Sequence, residues 1–394
     1  MNVPGFRAGA VKAGIRGKDR LDLGLIYSEV PAAAAGVFTT NRVKAAPVLL
    51  DMARLEEGTA RAILVNSGVA NACTGPAGME AARQTSSLAA DHLQVADSQV
   101  LVSSTGVIGE ELDISLFEKA IPLLIPGLGP DGLPDVARAM ITTDTFPKIR
   151  SRTLELGGKQ VTMTGLAKGS GMIRPDMATM LGFVVTDAAV APAVLQSVLK
   201  ESVYHSFNSI TVDGDTSTND CVLIMANSLA ANPLISHRDS ADAEIFQEAL
   251  SLLLLDLALD IVRDGEGATK LITVEVRGAA SEDEADLAAR TVADSSLFKT
   301  ACFGEDPNWG RIMAALGRSG AEFDPEEVSV SFDDVLLVEK GVGLGRDQET
   351  KAAGVLRNDH FRVVIDLKQG GAGKKIYTCD LSLDYVRINA DYRT

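Results

Sequence analysis

Aromatic residues make up only 5% of this 394-residue chain, and there is a single Trp. Its core must therefore be built from aliphatic side chains. Cysteine is sparse too. Cys73, Cys221, Cys302 and Cys379 lie far apart and form no CxxC pair, which argues against a disulfide framework or a zinc site. Buried free thiols in a reducing cytoplasm are the expectation. The four histidines, His92, His205, His237 and His360, stand near no cysteine and in no HExxH, so no metal is expected. Basic residues are outnumbered, 37 Lys and Arg against 53 Asp and Glu, for a net charge of −16. Such a balance disfavours a phosphate-neutralising face for nucleic acid and attachment to an anionic membrane. Long apolar runs are missing. The most apolar stretch, Leu252 to Val262, is interrupted by Asp256 and Asp260 and falls short of the roughly 18 clean residues a membrane helix needs. Met1 to Ala10 shows no basic segment followed by an apolar run, so no signal peptide is expected.

Glycine, by contrast, is abundant at 36 residues, which points to many tight backbone approaches. At roughly 150 residues per domain the length predicts two or three domains. Strand-like runs fall at Ala62–Asn66, Gln99–Ser103, Gln160–Thr164, Gly182–Thr186, Cys221–Ala226, Leu271–Arg277, Glu327–Phe332 and Arg362–Lys368. Helical periodicity falls between them. Ala191–Ser206 sets Leu195, Val198, Leu199, Ser202 and Val203 on one face. Asp242–Asp264 is the longest helix, with Gly265 as its stop. Ser281, three residues before Glu284, forms a capping box for a helix to about Ala293. Pro307 opens another, ended by Gly317. The fold class expected is α/β or α+β with mixed sheets. The Pro- and Gly-rich stretch from Pro122 to Pro134 reads as a loop or linker.

Three apparent motifs fail. Gly341–Gly345 lacks the last glycine of a dinucleotide fingerprint and reads as a hairpin turn. Gly370–Lys375 lacks the spacing and the Ser/Thr of a phosphate loop. Asp213–Asp220 begins like a calcium loop, but Thr218 stands where Gly is needed and Ile224 where Glu is needed. It reads as a hydrogen-bonded turn, or as the wall of an active site.

One segment has the features of a self-cleavage site. Lys168-Gly-Ser-Gly171 leads through Pro175 to Ala178-Thr179, and an apolar strand follows at once. Self-cleavage needs such a constrained approach. The Thr179 hydroxyl attacks the Ala178 carbonyl, and water releases the ester. Thr179 then holds a free α-amine, titrating ordinarily near 8, beside its own hydroxyl, so one residue is nucleophile and base. The residues alone equally fit the plain start of a strand.

This segment is one of several distinctive stretches along the chain: Gly5–Ala8, Ala34–Lys44, Asn66–Gly68, Ser104–Gly109, Thr142–Thr145, Lys168–Leu181, Asp213–Asp220, Asp264–Lys270, Gly304, Asp306–Arg311 and Asn389–Thr394. Together they resemble the bifunctional ornithine acetyltransferase family, also called glutamate N-acetyltransferase, of the cyclic arginine pathway. Val69 and Cys221 depart from the pattern, where Asn and Thr are usual. The resemblance implies a self-processing enzyme with an N-terminal threonine. Cleavage between Ala178 and Thr179 would give an α chain, 1–178, and a β chain, 179–394. Two of each would form a heterotetramer. Thr179 would take the acetyl group from N-acetylornithine and pass it to the amine of glutamate, and the bifunctional members also use acetyl-CoA as co-substrate. The same resemblance makes Thr105 and Gly106 the oxyanion hole, and Thr145, Lys168, Thr179, Glu266, Asn389 and Thr394 the substrate contacts. Lys168 suits a carboxylate and Glu266 an ammonium. Their plain alternatives are an exposed loop lysine and a solvated carboxylate after a helix, and that of Thr105-Gly106 is a turn. The segment Asp306–Arg311 reads as a structural turn and helix start. Two rivals stand beside this expectation: a threonine aminopeptidase or amidase that uses water as acceptor, and a binding protein with no chemistry at Thr179.

Overall fold

The computed structural model describes residues 2–17, 19–174 and 180–391. They form two compact units. The first takes the described residues up to Asn208 together with Asp215–Ile261; the second takes Ser209–Gly214 and the described residues from Val262 onward.

The first unit is an eight-stranded mixed sheet. Its strands are β1 (Phe6–Val11), β2 (Leu23–Phe38), β3 (Thr59–Val69), β4 (Val100–Val107), β5 (Lys148–Leu156), β6 (Lys159–Lys168), β7 (Leu181–Thr186) and β8 (Cys221–Ala226). The order is β4-β3-β2-β8-β7-β6-β5, with β1 paired to β2. The β3/β4 and β7/β8 pairs are parallel and the others antiparallel. Alternation along the central strands explains the layers. Ile63 and Val65 of β3 join a core with Leu133, Val136 and Met140 of α4 (Leu133–Met140). Their neighbours Ala62 and Leu64 face the opposite way, into a core with α1 (Ala46–Arg54), α2 (Gly75–Leu93) and α3 (Ile114–Leu124). Each buried aliphatic side chain contributes about 1.5–3 kcal/mol. Two further helices belong to this part of the chain, α5 (Pro192–Tyr204) and α6 (Ala241–Arg263), which the sequence periodicity places to within two residues.

Several expectations need correction. The stretch Pro122–Pro134 is no linker. Pro122 lies inside α3, Leu128 is buried, and Gly129 exchanges both backbone bonds with Ala8 of β1. The apolar residues scattered among its prolines and glycines hold it to the core. The sixteen-residue β2 shows no alternation, since Ala32 to Ala35 carry no β-branched signal, and it shifts register on β3 between Tyr27 and Ala32. Cys73 is exposed, unlike the other three thiols.

A six-stranded sheet forms the second unit, ordered β12-β11-β10-β13-β9-β14. Its strands are β9 (Leu271–Ala279), β10 (Ser329–Phe332), β11 (Val335–Glu339), β12 (Val342–Gly343), β13 (His360–Asp366) and β14 (Ala372–Cys379). Ile272, Val274 and Val276 of β9 pack on Ala285, Ala288 and Ala289 of α7 (Glu282–Ala293) and on Ile312 and Leu316 of α9 (Trp309–Gly317). The remaining helices are α8 (Ser296–Phe303), α10 (Arg346–Val355) and α11 (Leu383–Asp391). Ser281 caps α7 as expected, accepting from the Glu284 N–H. The cap of α9 is Asn308 and not Pro307, because Asn308 Oδ1 accepts from the Arg311 N–H.

Candidate active site

In the first unit the site is built on the parallel ends of β3 and β4. Ser67 lies opposite Thr105, and Gly68 opposite Gly106. Both glycines have positive φ, 112° and 133°. A Cβ on Gly106 would stand 2.2 Å from the Gly68 carbonyl carbon, so only glycine lets the strand ends approach this closely. Above this floor sits Thr105, whose hydroxyl makes no hydrogen bond among the described residues. Thr105 thus lies inside β4, two residues before its end, and not in a turn.

The strand ends are held from several sides. The Ser67 hydroxyl donates to the Ala139 carbonyl at 2.6 Å. The Ser104 hydroxyl donates to Asn66 Oδ1 at 2.7 Å, and Asn66 Nδ2 donates to the Val69 carbonyl. Val69, where the pattern has Asn, packs into the apolar core, and Cys221 lies buried 3.4 Å from the Ser103 hydroxyl. Burial pushes the Cys221 and Cys302 thiols up, so neither supplies a thiolate at neutral pH.

Lys168 closes β6 and is only 7% exposed, not the surface lysine of its plain alternative. It belongs to a buried group of charges. Lys148 donates to Asp144 at 2.8 Å, and both side chains are fully buried. The Thr142 and Gly169 N–H groups donate to the same carboxylate at 3.0 and 2.7 Å. Burial alone would raise the Asp144 pKa, but the Lys168 and Lys148 ammoniums and the bonds from Lys148 and Thr142 hold it at about 2. Asp144 therefore stays ionised and fixes Gly169, the residue after Lys168. Thr145, next in the chain, is exposed. Sequence reasoning passed over Asp144 and Lys148. Their i, i+4 spacing offered a signal, but helical spacing is not where they lie.

Lys168 is the register partner of Leu181 on β7. The chain on either side of Ala178-Thr179 is thus anchored by one antiparallel pair. Ala178 and Thr179 themselves, with Pro175–Met177, lie outside the described residues, as does Thr394. The approach ends in Met172 at φ 57°, unusual for a residue with a side chain, and in an antiparallel bridge from Ile173 to Thr216.

Glu266 and Asn389 belong to the second unit and meet there. Asn389 Nδ2 donates to Glu266 Oε2 at 2.7 Å. Glu266 is 8% exposed rather than solvated. Gly267 has φ 69°, and a Cβ there would meet the Tyr385 nitrogen at 2.6 Å. The Ser382 hydroxyl donates to the Gly267 carbonyl, and Asp380 accepts from the Thr269 and Lys270 N–H groups. The start of α11 is thereby tied to the Glu266 loop.

A hydroxyl beside glycine-lined strand ends, with a buried lysine nearby in the same unit's sheet, fits an acyl-transfer enzyme. Among the described residues no His, Cys, Asp and Glu cluster is placed to hold a metal ion, and no helix is long and apolar enough to cross a membrane. Comparison with known proteins makes the class specific. The chain matches the ArgJ family over residues 7–394. It is 56% identical to the arginine biosynthesis bifunctional protein ArgJ of Desulfotalea psychrophila and 55% identical to that of Geobacter sulfurreducens, over the full length of every chain. The crystal structure of arginine biosynthesis bifunctional protein argJ from Bacillus halodurans is 44% identical, with a TM-score of 0.52, covering 54% of this chain and all of that one. The chain belongs to the ArgJ family, the bifunctional ornithine acetyltransferases and glutamate N-acetyltransferases of arginine biosynthesis.

Proposed function

We propose that this chain cleaves itself between Ala178 and Thr179 and then carries acetyl groups on Thr179. The α-amine of Thr179 takes its hydroxyl proton, and Oγ1 attacks the acetyl carbonyl of N-acetylornithine. Thr105 and the Gly106 N–H receive the oxyanion. The C–N bond breaks, ornithine leaves with the proton, and acetyl-Thr179 remains. The amine of glutamate attacks this ester, and N-acetylglutamate departs as Thr179 regains its proton. Lys168 holds a substrate carboxylate, and Glu266, oriented by Asn389, serves an ammonium group. Thr145 and Thr394 complete the substrate contacts. Acetyl-CoA is a second acetyl donor. The enzyme acts in the cytoplasm as two α and two β chains.

The observation that supports this reading most directly is the Thr105 hydroxyl, without a hydrogen-bond partner among the described residues, beside the close approach of Gly68 and Gly106. Intact mass spectrometry is expected to find a β chain beginning at Thr179, and Thr179→Ala to stay whole and inactive. An active wild-type enzyme that remains one 394-residue chain overturns the mechanism. Transfer from N-acetylornithine to glutamate, measured against release of free acetate, separates the acetyltransferase from an amidase. Double-reciprocal plots at varied glutamate are expected to be parallel, as an acyl-enzyme requires. Intersecting lines mean direct transfer without acetyl-Thr179.

A further inference from the structure

The turn Asp213–Asp220, which resembles a failed calcium loop, has a position in the fold that its sequence does not reveal. Its last residues lead into β8 and are buried. Asn219 Nδ2 donates to two carbonyls, Ser104 at 2.8 Å and Ala70 at 2.6 Å. Ser104 directly precedes Thr105. Ala70 follows Val69 at the end of β3, and its own N–H donates to the Val107 carbonyl at 2.9 Å. The carboxamide is thus shared between the two strand ends that meet at Gly68 and Gly106. Its orientation is set as well, because the Thr218 hydroxyl donates to Asn219 Oδ1 at 2.8 Å. The same turn reaches the chain approaching Thr179: Thr216 pairs with Ile173, and its hydroxyl donates to the Arg174 carbonyl at 3.1 Å. Asn41 Nδ2 and the Thr39 hydroxyl secure the Thr216 and Ser217 carbonyls from the far side.

We propose that this turn is a brace joining the cleavage-site approach to the oxyanion hole, with Asn219 the positioning residue for Thr105 and Gly106. The proposal rests on the reading of Thr105-Gly106 as that hole. Asn219 touches no reacting atom; it acts by fixing the carbonyl beside Thr105. Two buried carbonyls aimed at one amide are satisfied only while the strand ends keep their spacing. Donors displaced by about 1 Å lose most of their effect on a developing oxyanion.

A double-mutant cycle on the processed enzyme tests this. Asn219→Ala is expected to lower kcat by about 10- to 100-fold with KM for N-acetylornithine unchanged. Thr105→Ala is expected to lower it by about 100-fold or more. The double variant is expected to be slower than Thr105→Ala by much less than the factor that Asn219→Ala costs alone, since only the Gly106 N–H is left to position once the hydroxyl is gone. Multiplicative losses, or a raised KM with kcat intact, overturn the positioning role. Full kcat in Thr105→Ala places the hole elsewhere, a separate failure of the underlying reading that takes the proposal with it. If Asn219→Ala does not fold, Thr218→Val decides. It keeps the bonds to both carbonyls but frees the amide to turn, and a several-fold loss of kcat is expected where an unchanged kcat refutes the brace. Thr216→Val is expected to slow the appearance of two chains on a denaturing gel. Unaltered cleavage removes that arm of the proposal.

Discussion

The Thr105–Gly106 strand end and the Glu266–Asn389 pair hold their groups in opposite ways. At the first, a backbone frame is fixed by many buried bonds: parallel strands, two positive-φ glycines, and carbonyls that accept from buried side chains. At the second, one side chain reaches another from α11, a helix with no buried residue, where Leu383 is 74% and Val386 63% exposed. The contrast follows the chemistry proposed for each. An oxyanion forms at a point that donors must already face, whereas an ammonium group can be met by a carboxylate that adjusts.

The sharpest way to break the comparison is Gly106→Ala. Its Cβ would collide with the Gly68 backbone, so kcat is expected to fall by about 10³-fold, with lower thermal stability seen by calorimetry. A near-normal kcat means the strand end adjusts after all. A smaller effect is expected at Asp144, where backbone and side-chain bonds combine. Asp144→Asn leaves Lys148 buried without its counter-charge, a cost of about 3–5 kcal/mol in urea unfolding. The pH dependence sharpens this. The Asp144 pKa is lowered on folding, so its stabilisation is complete above the unfolded value of about 3.9 and is lost as pH falls through about 2. Between pH 4 and pH 2 the wild type is expected to lose about 2 kcal/mol more than Asp144→Asn. Parallel curves mean folding does not lower the Asp144 pKa. The smallest effect is expected for Asn389→Ala, which removes one bond to Glu266. KM should rise about fivefold with kcat held within twofold in steady-state assays. A loss of kcat matching that of Gly106→Ala would erase the distinction between the two regions.

How far the site could be read from the residues differs in the same way. Thr105-Gly106 and Lys168 stand in short patterns, and their neighbours in the chain supply much of their setting. Asp144 and Lys148 were passed over, because a carboxylate and an ammonium four residues apart look like ordinary surface charge until burial is known. Asn219 lay in a recognised turn, yet its partners Ala70 and Ser104 are more than a hundred residues away.

Strand placement shows where the division falls. Local sequence decided that Gly182–Thr186 and Cys221–Ala226 lie in strands and that Ser281 caps a helix, since short aliphatic, β-branched runs and caps depend on a few adjacent residues. Only the tertiary structure decided that β7 and β8, which follow the Ala178-Thr179 bond, lie in mid-sheet between β6 and β2. Strand pairing depends on which segments meet across the fold, and that information is spread over the whole chain. It also means that cutting the bond need not part the halves, because β6 remains hydrogen-bonded to β7 and β2 to β8 on either side of it. The ionised state of Asp144 was decided the same way, by burial and by two lysines that only folding brings to it.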